Sequence, residues 1–541
     1  MESSVNKPQF LTRLKPFLGK HYPWVVLLGI SLFWMGILLT SGAIFSGYHF
    51  IDDHLIVDLY QVFFNEKVDF WQVFTEKVID SIVVDKRFIF YHVGLKVVQA
   101  KLFGLNLTLW SVLLGLFAVS THFFLFIFAD SIGFLLVESL VFPLLIMLGT
   151  QSATWWRLSY AEASGTLFLS LSLVLLILNL QSTKPKWFYE IGFFVAILLM
   201  TFSKESFVLM PPAIGFTRVW LFQHLKATSW YEAIRKNFLA VSGLLIIFTS
   251  EILFIKYFIG LQPKISYAGV ESANPLGAIG VLSSYNQAGF QVLIIIGLLL
   301  TGVALKLQAP TSKDGYKSLA ITTIASLMLF AIIVFPQLIL HAKSGVSQRY
   351  LLPGISAYAF LIIGMHRYID GASKVLSHLF LSLIVVSLVI KLNVAWHDAR
   401  TFALDGKATT ALLQSIATQT TSKDSILIVT NPRAYEEWNL SIKKYLNFVS
   451  QRPNLYIGAY TGQQTTTYQE LATLHNYKTL EKVQDKSAFQ CVVVFPGLTK
   501  SFLRNSSDWF ISKNYNLLIF EPFYWTINPK SQVYLYCKKP I

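Results

Sequence analysis

The sequence predicts a polytopic α-helical membrane protein with about 11 to 13 transmembrane helices, followed by a soluble α/β domain. Apolar residues make up 54% of the 541 positions, whereas charged residues make up only 13%. Apolar runs recur along the first 390 residues, which is typical of helices buried in lipid rather than in one large soluble core.

The first apolar run is the first predicted membrane helix. No charged residue lies between Tyr22 and Tyr48, and the run is too long for a signal peptide and has no small-residue cleavage site after it. Four basic residues precede Tyr22, so the positive-inside rule places the amino terminus in the cytoplasm. The next segment, residues 49–87, is therefore predicted to be a folded polar loop outside the cytoplasm.

Eleven further apolar segments are predicted to cross or partly cross the membrane. They cover residues 88–104, 107–129, 131–149, 162–182, 187–203, 205–222, 238–258, 289–305, 318–340, 350–366 and 375–392. Basic loops place residues 155–161, 203–205, 259–288 and 341–349 outside the cytoplasm, together with the carboxyl-terminal tail. Three candidates lie between the first outer loop and residue 157, where an even number of crossings is required. At least one of the three is therefore predicted not to span.

The net charge of +15 does not indicate a nucleic-acid partner. Lys and Arg concentrate in short loops between apolar runs, and no motif interleaves basic with aromatic residues. Positive-inside anchoring explains the charge, and membrane lipid is the expected partner.

The character of the chain changes after Lys391. The β-forming runs SILIVT, LYIGAY, CVVVF, NLLIF and VYLYC occur with the predicted helices YEEWNLSIKKYLNF and YQELATLH. We therefore predict a transmembrane domain over residues 1–395, which includes loop 49–87, and a soluble extracytoplasmic α/β domain over residues 400–541. Cys491 and Cys537 both fall in predicted strands, where they either pair or remain two buried thiols.

Asp52 and Asp53, in FIDDHLI, are adjacent carboxylates just beyond the first apolar run. Loop 49–87 has eight acidic and four basic residues, and this pair is its one acidic cluster. A carboxylate at this boundary is suited to accept a proton or to orient a hydroxyl nucleophile. The alternatives are a solvated loop pair and a cation site.

Two basic motifs also border apolar runs. Lys204 and Glu205, in LLMTFSKESFVLMPP, lie where a plain turn needs no charge, and such residues are costly unless paired. Arg349, in VSQRYLLPG beside Tyr350, opens a predicted helix, and its guanidinium can grip a phosphate with two hydrogen bonds. The alternatives are a snorkelling lysine and an ordinary interfacial anchor.

Three further residues complete the predicted outer-face set. Arg87 begins the amphipathic segment RFIFYHVGLKVVQAKLFG, and Arg157 and Glu162 lie in WWRLSYAEASG, whose two tryptophans are interpreted as interface aromatics. These residues come from separate segments, but the predicted topology places all of them on the outer side.

The order of these motifs resembles the GT-C membrane glycosyltransferases, which include protein O-mannosyltransferases and the aminoarabinose transferases of lipid A. An acidic pair follows the first helix, and then come RFIFYHVGLKVVQAKLFGLN, SKESFVLMPP and QRYLLPG, within the first 370 residues. The resemblance implies that an acidic residue of the first outer loop is the catalytic base. Asp52 matches the first position of the usual Asp-Glu pair. Asp53 stands where many members have Glu, which leaves open which of the two is the base.

The resemblance further implies an inverting transfer of a sugar from a polyprenyl phosphate to an acceptor hydroxyl on a glycan, lipid or protein. The cations would bind the donor phosphate and stabilise the charge that grows on it as it leaves. The predicted phosphate-binding residues are Lys204, Arg349 and Arg87, and the predicted supporting residues are Glu205, Glu162, Arg157 and Tyr350. Whether a divalent metal joins the acidic pair is left open.

Two other classes share part of this pattern. A lipid-linked glycan polymerase or ligase would use a similar donor with a differently placed acceptor, and a transporter would carry its ionisable residues near the bilayer midplane. Most charges here lie at predicted helix ends, which favours the enzyme over the transporter.

Overall fold

The computed structural model describes residues 21–158, 160–182, 186–259, 289–307, 327–336, 338, 348–430, 435–458, 478–479, 489–496, 515–523 and 531–539. Within these ranges, long apolar helices are followed by a mixed sheet near the carboxyl end. The predicted fold class is therefore confirmed. The predicted helix YQELATLH lies outside the described residues, and the predicted segment 318–340 is described only in part.

The helices are numbered here in chain order. They are α1 (Tyr22–Ser41), α2 (His54–Tyr60), α3 (Phe70–Val83), α4 (Phe90–Phe103), α5 (Leu107–Ser131), α6 (Leu136–Met147), α7 (Glu162–Gln181), α8 (Trp187–Thr201), α9 (Pro211–Lys226), α10 (Trp230–Phe254), α11 (Phe290–Leu307), α12 (Leu327–Pro336), α13 (Leu352–Ala372), α14 (Lys374–Gln419) and α15 (Glu436–Lys444). Their starts follow local signals. The two prolines that open α9 need no hydrogen-bond partner at a helix start, and the Ser229 hydroxyl caps α10 by accepting the Glu232 N–H.

Five of the described helices are long and apolar enough to cross a membrane: α1, α5, α7, α10 with its extension to Ile259, and α14. Shorter apolar helices are α6, α8, α11 and α12. Helix α14 does not end near residue 392, as the hydropathy predicted, but continues to Gln419. The apolar run ends there, but the following residues include neither glycine nor proline until Gly406, so the helix continues as a polar one.

The chain divides into two compact units. Unit 1 comprises residues 1–37, 76–95 and 114–397, and unit 2 comprises residues 38–75, 96–113 and 398–541. In unit 1, α7 packs on α8, α9 on α10, and α11 on α13. The connection between α7 and α8 and that between α9 and α10 are short, which favours neighbouring antiparallel helices.

Unit 2 contains a six-stranded sheet. Its strands are β1 (Ile426–Val429), β2 (Leu455–Gly458), β3 (Lys478–Thr479), β4 (Cys491–Val494), β5 (Tyr515–Phe523) and β6 (Ser531–Lys538). Their order is β3-β2-β1-β4-β6-β5, in which β3, β2, β1 and β4 are parallel and β6 is antiparallel to both β4 and β5. Strands β1 and β4 are buried along their whole length, as central parallel strands covered on both faces usually are.

The first part of the predicted loop 49–87, together with Tyr48 just before it, is part of the core of unit 2. Tyr48, Phe50 and Val57 are buried in one cluster with residues of β1, β4, α15 and the last turns of α14. The Phe50 ring lies 5.0 Å from that of Trp438 in α15. The loop is therefore held by the carboxyl-terminal part of the chain, which hydropathy alone does not predict.

Cys491 and Cys537 form a disulfide. They face each other in the antiparallel pair β4–β6, with their Cα atoms 4.1 Å apart. Neighbouring strands bring the two thiols within bonding reach, which decides between the two alternatives that the sequence left open.

Replacing both cysteines with alanine should lower the free energy of unfolding of unit 2 by about 2 to 4 kcal/mol, because the bridge restricts the unfolded chain. The bridge closes a loop with a sequence separation of 46 residues. Urea unfolding followed by tryptophan fluorescence measures this, with Trp438 as a reporter in the core of unit 2. An unchanged unfolding midpoint would contradict the prediction.

Candidate functional site

Unit 1 holds seven of the nine predicted site residues, and unit 2 holds the aspartate pair. The seven are Arg87, Arg157, Glu162, Lys204, Glu205, Arg349 and Tyr350. Arg87 lies before α4, Arg157 lies before α7, and Glu162 is the first residue of α7. Lys204 and Glu205 lie in the turn between α8 and α9, and the other two lie in the turn before α13. Contacts link all seven into one group, which we call the cation cluster.

Arg87 and Glu205 form a two-point ion pair in the cation cluster. Arg87 donates from Nε to Glu205 Oε1 at 2.6 Å and from Nη2 to Oε2 at 3.2 Å. The Phe88 N–H also donates to Oε1, at 3.3 Å. Burial raises the pKa of Glu205, but the charge and hydrogen bonds of Arg87 outweigh it and lower the pKa to about 2. Glu205 is therefore a carboxylate that holds Arg87 in place.

Lys204 and Glu162 form the second ion pair. Lys204 Nζ lies 3.3 Å from Glu162 Oε1, and the Glu162 side chain is only 1% exposed. Glu162 begins α7, where the helix dipole favours a negative charge. The turn that carries Lys204 can approach α7 because residue 165 is glycine. A Cβ there would lie 2.5 Å from the ring of Phe207.

Arg349 is held between aromatic rings. Its Cζ lies 3.7 Å from the ring centroid of Tyr160 and 4.7 Å from that of Tyr350, and Nη2 donates to the Tyr350 hydroxyl at 2.9 Å. Lys204 Nζ lies over the same Tyr350 ring, 4.7 Å from its centroid. Among the described residues, the buried Nε of Arg349 has no hydrogen-bond partner.

Tyr160 is a member of the cluster that the sequence did not single out. Besides stacking on Arg349, its hydroxyl accepts a hydrogen bond from Arg157 Nη1 at 2.8 Å. The one feature of the sequence that could have indicated Tyr160 was its position between Arg157 and Glu162. A tyrosine at a membrane boundary is too common for that signal to be specific.

The cation cluster carries excess positive charge. Four cationic side chains, those of Arg87, Arg157, Lys204 and Arg349, are joined to the two carboxylates of Glu162 and Glu205. Asp85 interacts electrostatically with Arg87, but the excess remains when its charge is included. A partly buried group of this kind is suited to bind an anion, and two arginines with planar guanidinium groups suit the oxygens of a phosphate.

The aspartate pair in unit 2 has two different environments. Asp53 is 2% exposed, and its Oδ2 accepts a hydrogen bond from the His49 backbone N–H at 2.9 Å. Asp52 is half-buried and has a φ of 69°, in the left-handed region. The ammonium group of Lys96 in α4 interacts electrostatically with both carboxylates. The sequence analysis singled out neither His49 nor Lys96 as part of this site, because their partners are fixed only by folding.

The described residues include no group of three or more His, Cys, Asp or Glu side chains placed to hold a metal ion.

No family model matches this chain, and no curated protein matches its sequence. Among the solved structures that match this chain are two of ArnT from Cupriavidus metallidurans. The one bound to undecaprenyl phosphate has a TM-score of 0.45 and 11% identity, and the alignment covers 95% of this chain and 98% of that one. The one in the apo state has a TM-score of 0.42 and 12% identity, with 95% and 97% covered. ArnT is an aminoarabinose transferase and a GT-C glycosyltransferase, which is the family that the sequence resembles. At these identities the likeness concerns the fold alone.

Proposed function

We infer that this protein is an integral membrane glycosyltransferase that moves a sugar from a polyprenyl phosphate to an acceptor hydroxyl outside the cytoplasm, with inversion. One observation carries the inference. The seven residues chosen from separate sequence motifs form one connected cluster with excess positive charge. Random membrane anchors would not be expected to converge in this way.

The position of the cluster supports a lipid phosphate as its ligand. Glu162 is the first residue of α7, a helix long enough to cross a membrane, and Lys204 follows directly after the apolar helix α8. Charged groups at the ends of apolar helices lie at the depth of lipid headgroups. A phosphate on a polyprenyl carrier presents its charge at that depth while its chain stays in the lipid.

In the proposed reaction, a carboxylate of the first loop accepts the proton of the acceptor hydroxyl. The acceptor oxygen forms a bond to the anomeric carbon as the bond from that carbon to the phosphate oxygen breaks, and polyprenyl phosphate leaves. Asp52 is our choice for the base, because the Asp53 carboxylate is buried against His49. The cations stabilise the charge on the departing phosphate.

We further propose that unit 2 lies outside the cytoplasm, as the positive-inside pattern predicts. The disulfide between Cys491 and Cys537 supports this orientation, because such bonds persist in oxidising compartments.

The decisive experiment is mass spectrometry of lipids that remain bound to the purified protein. We expect a polyprenyl monophosphate or its sugar derivative, and we expect the double variant Lys204→Ala/Arg349→Ala, purified in parallel, to lose it. An oligosaccharide on a polyprenyl diphosphate would favour a polymerase or ligase instead. A parent protein without any polyprenyl lipid, or a double variant that retains the same amount, would remove the support for the proposal.

A further inference from the structure

His49 lies beside the aspartate pair and contacts it twice. Its backbone N–H donates to Asp53 Oδ2 at 2.9 Å, and its Nδ1 lies 3.2 Å from the same oxygen. Its other ring nitrogen, Nε2, lies 3.1 Å from the backbone oxygen of Phe402 in α14. Each ring nitrogen therefore faces an oxygen, and this fixes the orientation of the ring.

The His49 imidazole packs against the carboxyl-terminal half of α14. The ring of Phe402 stacks on that of His49, with centroids 3.7 Å apart and planes inclined by 10°. One turn later, residue 406 is glycine, and a Cβ there would lie 2.5 Å from His49 Nε2 and 2.5 Å from the Ser46 oxygen. His49 is 2% exposed. The helix thus leaves space for this ring and for little else.

Asp53 uses its side chain for His49 and not for its own helix. It occupies the N-cap position of α2, where an aspartate usually accepts a hydrogen bond from a backbone N–H of the first turn. No such capping bond is present. Asp53 is bonded instead to His49, four residues earlier, so this contact closes the segment that contains the aspartate turn.

Asp52 has an unusual backbone conformation. Its φ of 69° is rare for a residue with a side chain, and the Asp53 N–H donates to the Ile51 oxygen at 2.9 Å across it. Such a three-residue turn is strained and persists only where the surroundings hold both of its ends. Asp53, pinned by His49, is one of those ends.

The other side of the loop is also anchored in unit 2. The Ser441 hydroxyl of α15 donates to the Phe50 oxygen and lies 3.3 Å from His54 Nδ1. Lys444 of the same helix pairs with Asp58 in α2. Phe50 and His54, on either side of the aspartate turn, are thus both held by Ser441 of α15, while α14 holds His49.

We propose that His49 is a positioning residue that holds Asp53 and so maintains the strained turn that presents Asp52. The proposal rests on the function inferred above, in which Asp52 is the base. It gives the carboxyl-terminal half of α14, which packs against His49, an indirect part in the geometry of the reaction. His49 itself does not contact the substrate.

His49→Ala should slow consumption of the lipid-linked sugar that co-purifies with the protein by about tenfold to a hundredfold, because a displaced base reacts poorly. Affinity for undecaprenyl phosphate should not change, since His49 is not part of the cation cluster. His49→Asn should recover part of the rate, because its amide can donate to Asp53 from near the Nδ1 position. A parent rate in His49→Ala would overturn the proposal.

Gly406→Ala should displace the His49 ring without removing a polar group, because the added Cβ would lie 2.5 Å from His49 Nε2. It should slow consumption as His49→Ala does, whereas Gly364→Ala, a helical glycine with nothing within 4 Å of its added Cβ, should not. If His49→Ala does not fold, His49→Asn and Gly406→Ala carry the test. Parent rates in both would overturn the proposal.

A double-mutant cycle tests whether His49 acts through Asp53. The variant His49→Ala/Asp53→Ala should be no slower than the slower of the two single variants, because both changes break the same link. Losses that multiply would show that His49 acts elsewhere, and the proposal would fail.

Hydrogen exchange separates this proposal from the function on which it rests. Backbone amides of residues 48–56 should exchange faster in His49→Ala and Gly406→Ala than in the parent, with other regions unchanged. Unchanged exchange overturns the positioning role alone. An active Asp52→Asn variant overturns the assignment of the base, whatever the exchange shows.

Discussion

Asp52→Asn should lower the rate of sugar transfer by about a hundredfold or more, because the amide keeps the shape of the side chain but cannot accept the acceptor proton. Binding of undecaprenyl phosphate and the folded state should be retained. The measurement is transfer from the donor lipid recovered with the protein, in a membrane extract that supplies the acceptor. This is the largest effect that we expect from a single substitution.

Two neighbouring substitutions make the test specific. Asp53→Asn should have a smaller effect, since an oxygen acceptor for His49 remains, and the reverse ranking would move the base to Asp53. Glu66→Gln is a control in the same loop and should leave transfer at the parent rate, because Glu66 is an exposed carboxylate that accepts a hydrogen bond from Gln61. Near-parent transfer by the double variant Asp52→Asn/Asp53→Asn would show that neither aspartate is the base.

Arg349→Ala should weaken the affinity for undecaprenyl phosphate by about tenfold to a hundredfold, which is the usual value of a hydrogen bond to a charged group. The side chain lies against the ring of Tyr160 and retains an Nε donor without a described partner. Arg349→Lys should recover only part of the affinity, because an ammonium group lacks the two-point geometry. Native mass spectrometry with added undecaprenyl phosphate measures the change.

Lys204→Ala should weaken the same affinity and also destabilise the protein, since it leaves the buried carboxylate of Glu162 without its cation. Adding Glu162→Gln should restore stability but not affinity, which separates the two effects. Lys186→Ala is the matched control, because Lys186 also lies over aromatic rings but is not part of the cluster. Parent affinity in both Arg349→Ala and Lys204→Ala would refute the phosphate assignment.

Local sequence predicted those structural features that a single short segment determines. Apolar runs are long enough in themselves to indicate a membrane helix, so α5, α7 and α8 lie close to their predicted ranges. Runs of β-forming residues likewise located β1, β4 and β6. Candidate site residues were found by the same reasoning, because a charge beside an apolar run is costly and indicates a paired or functional group.

Partners that are distant in sequence were not predictable in this way. Arg87 and Glu205 are separated by 118 positions, and nothing in either segment specifies the other. The continuation of α14 beyond its apolar part was not predicted, because hydropathy identifies segments that can lie in lipid and does not show where a helix ends. That continuation carries Phe402 and Gly406, against which His49 packs.

The sequence by itself therefore determined the class of the protein, most of its apolar helices and its strands, and the charged residues at the helix ends. These properties depend on composition and periodicity within a single segment. The tertiary structure alone decided which charges pair, that Cys491 bonds Cys537, that the first loop packs in unit 2, and that Asp53 rather than Asp52 is buried against His49. The physical reason is that a hydrogen bond, ion pair or disulfide depends on distances of a few ångströms between side chains. Only packing of the whole chain sets those distances.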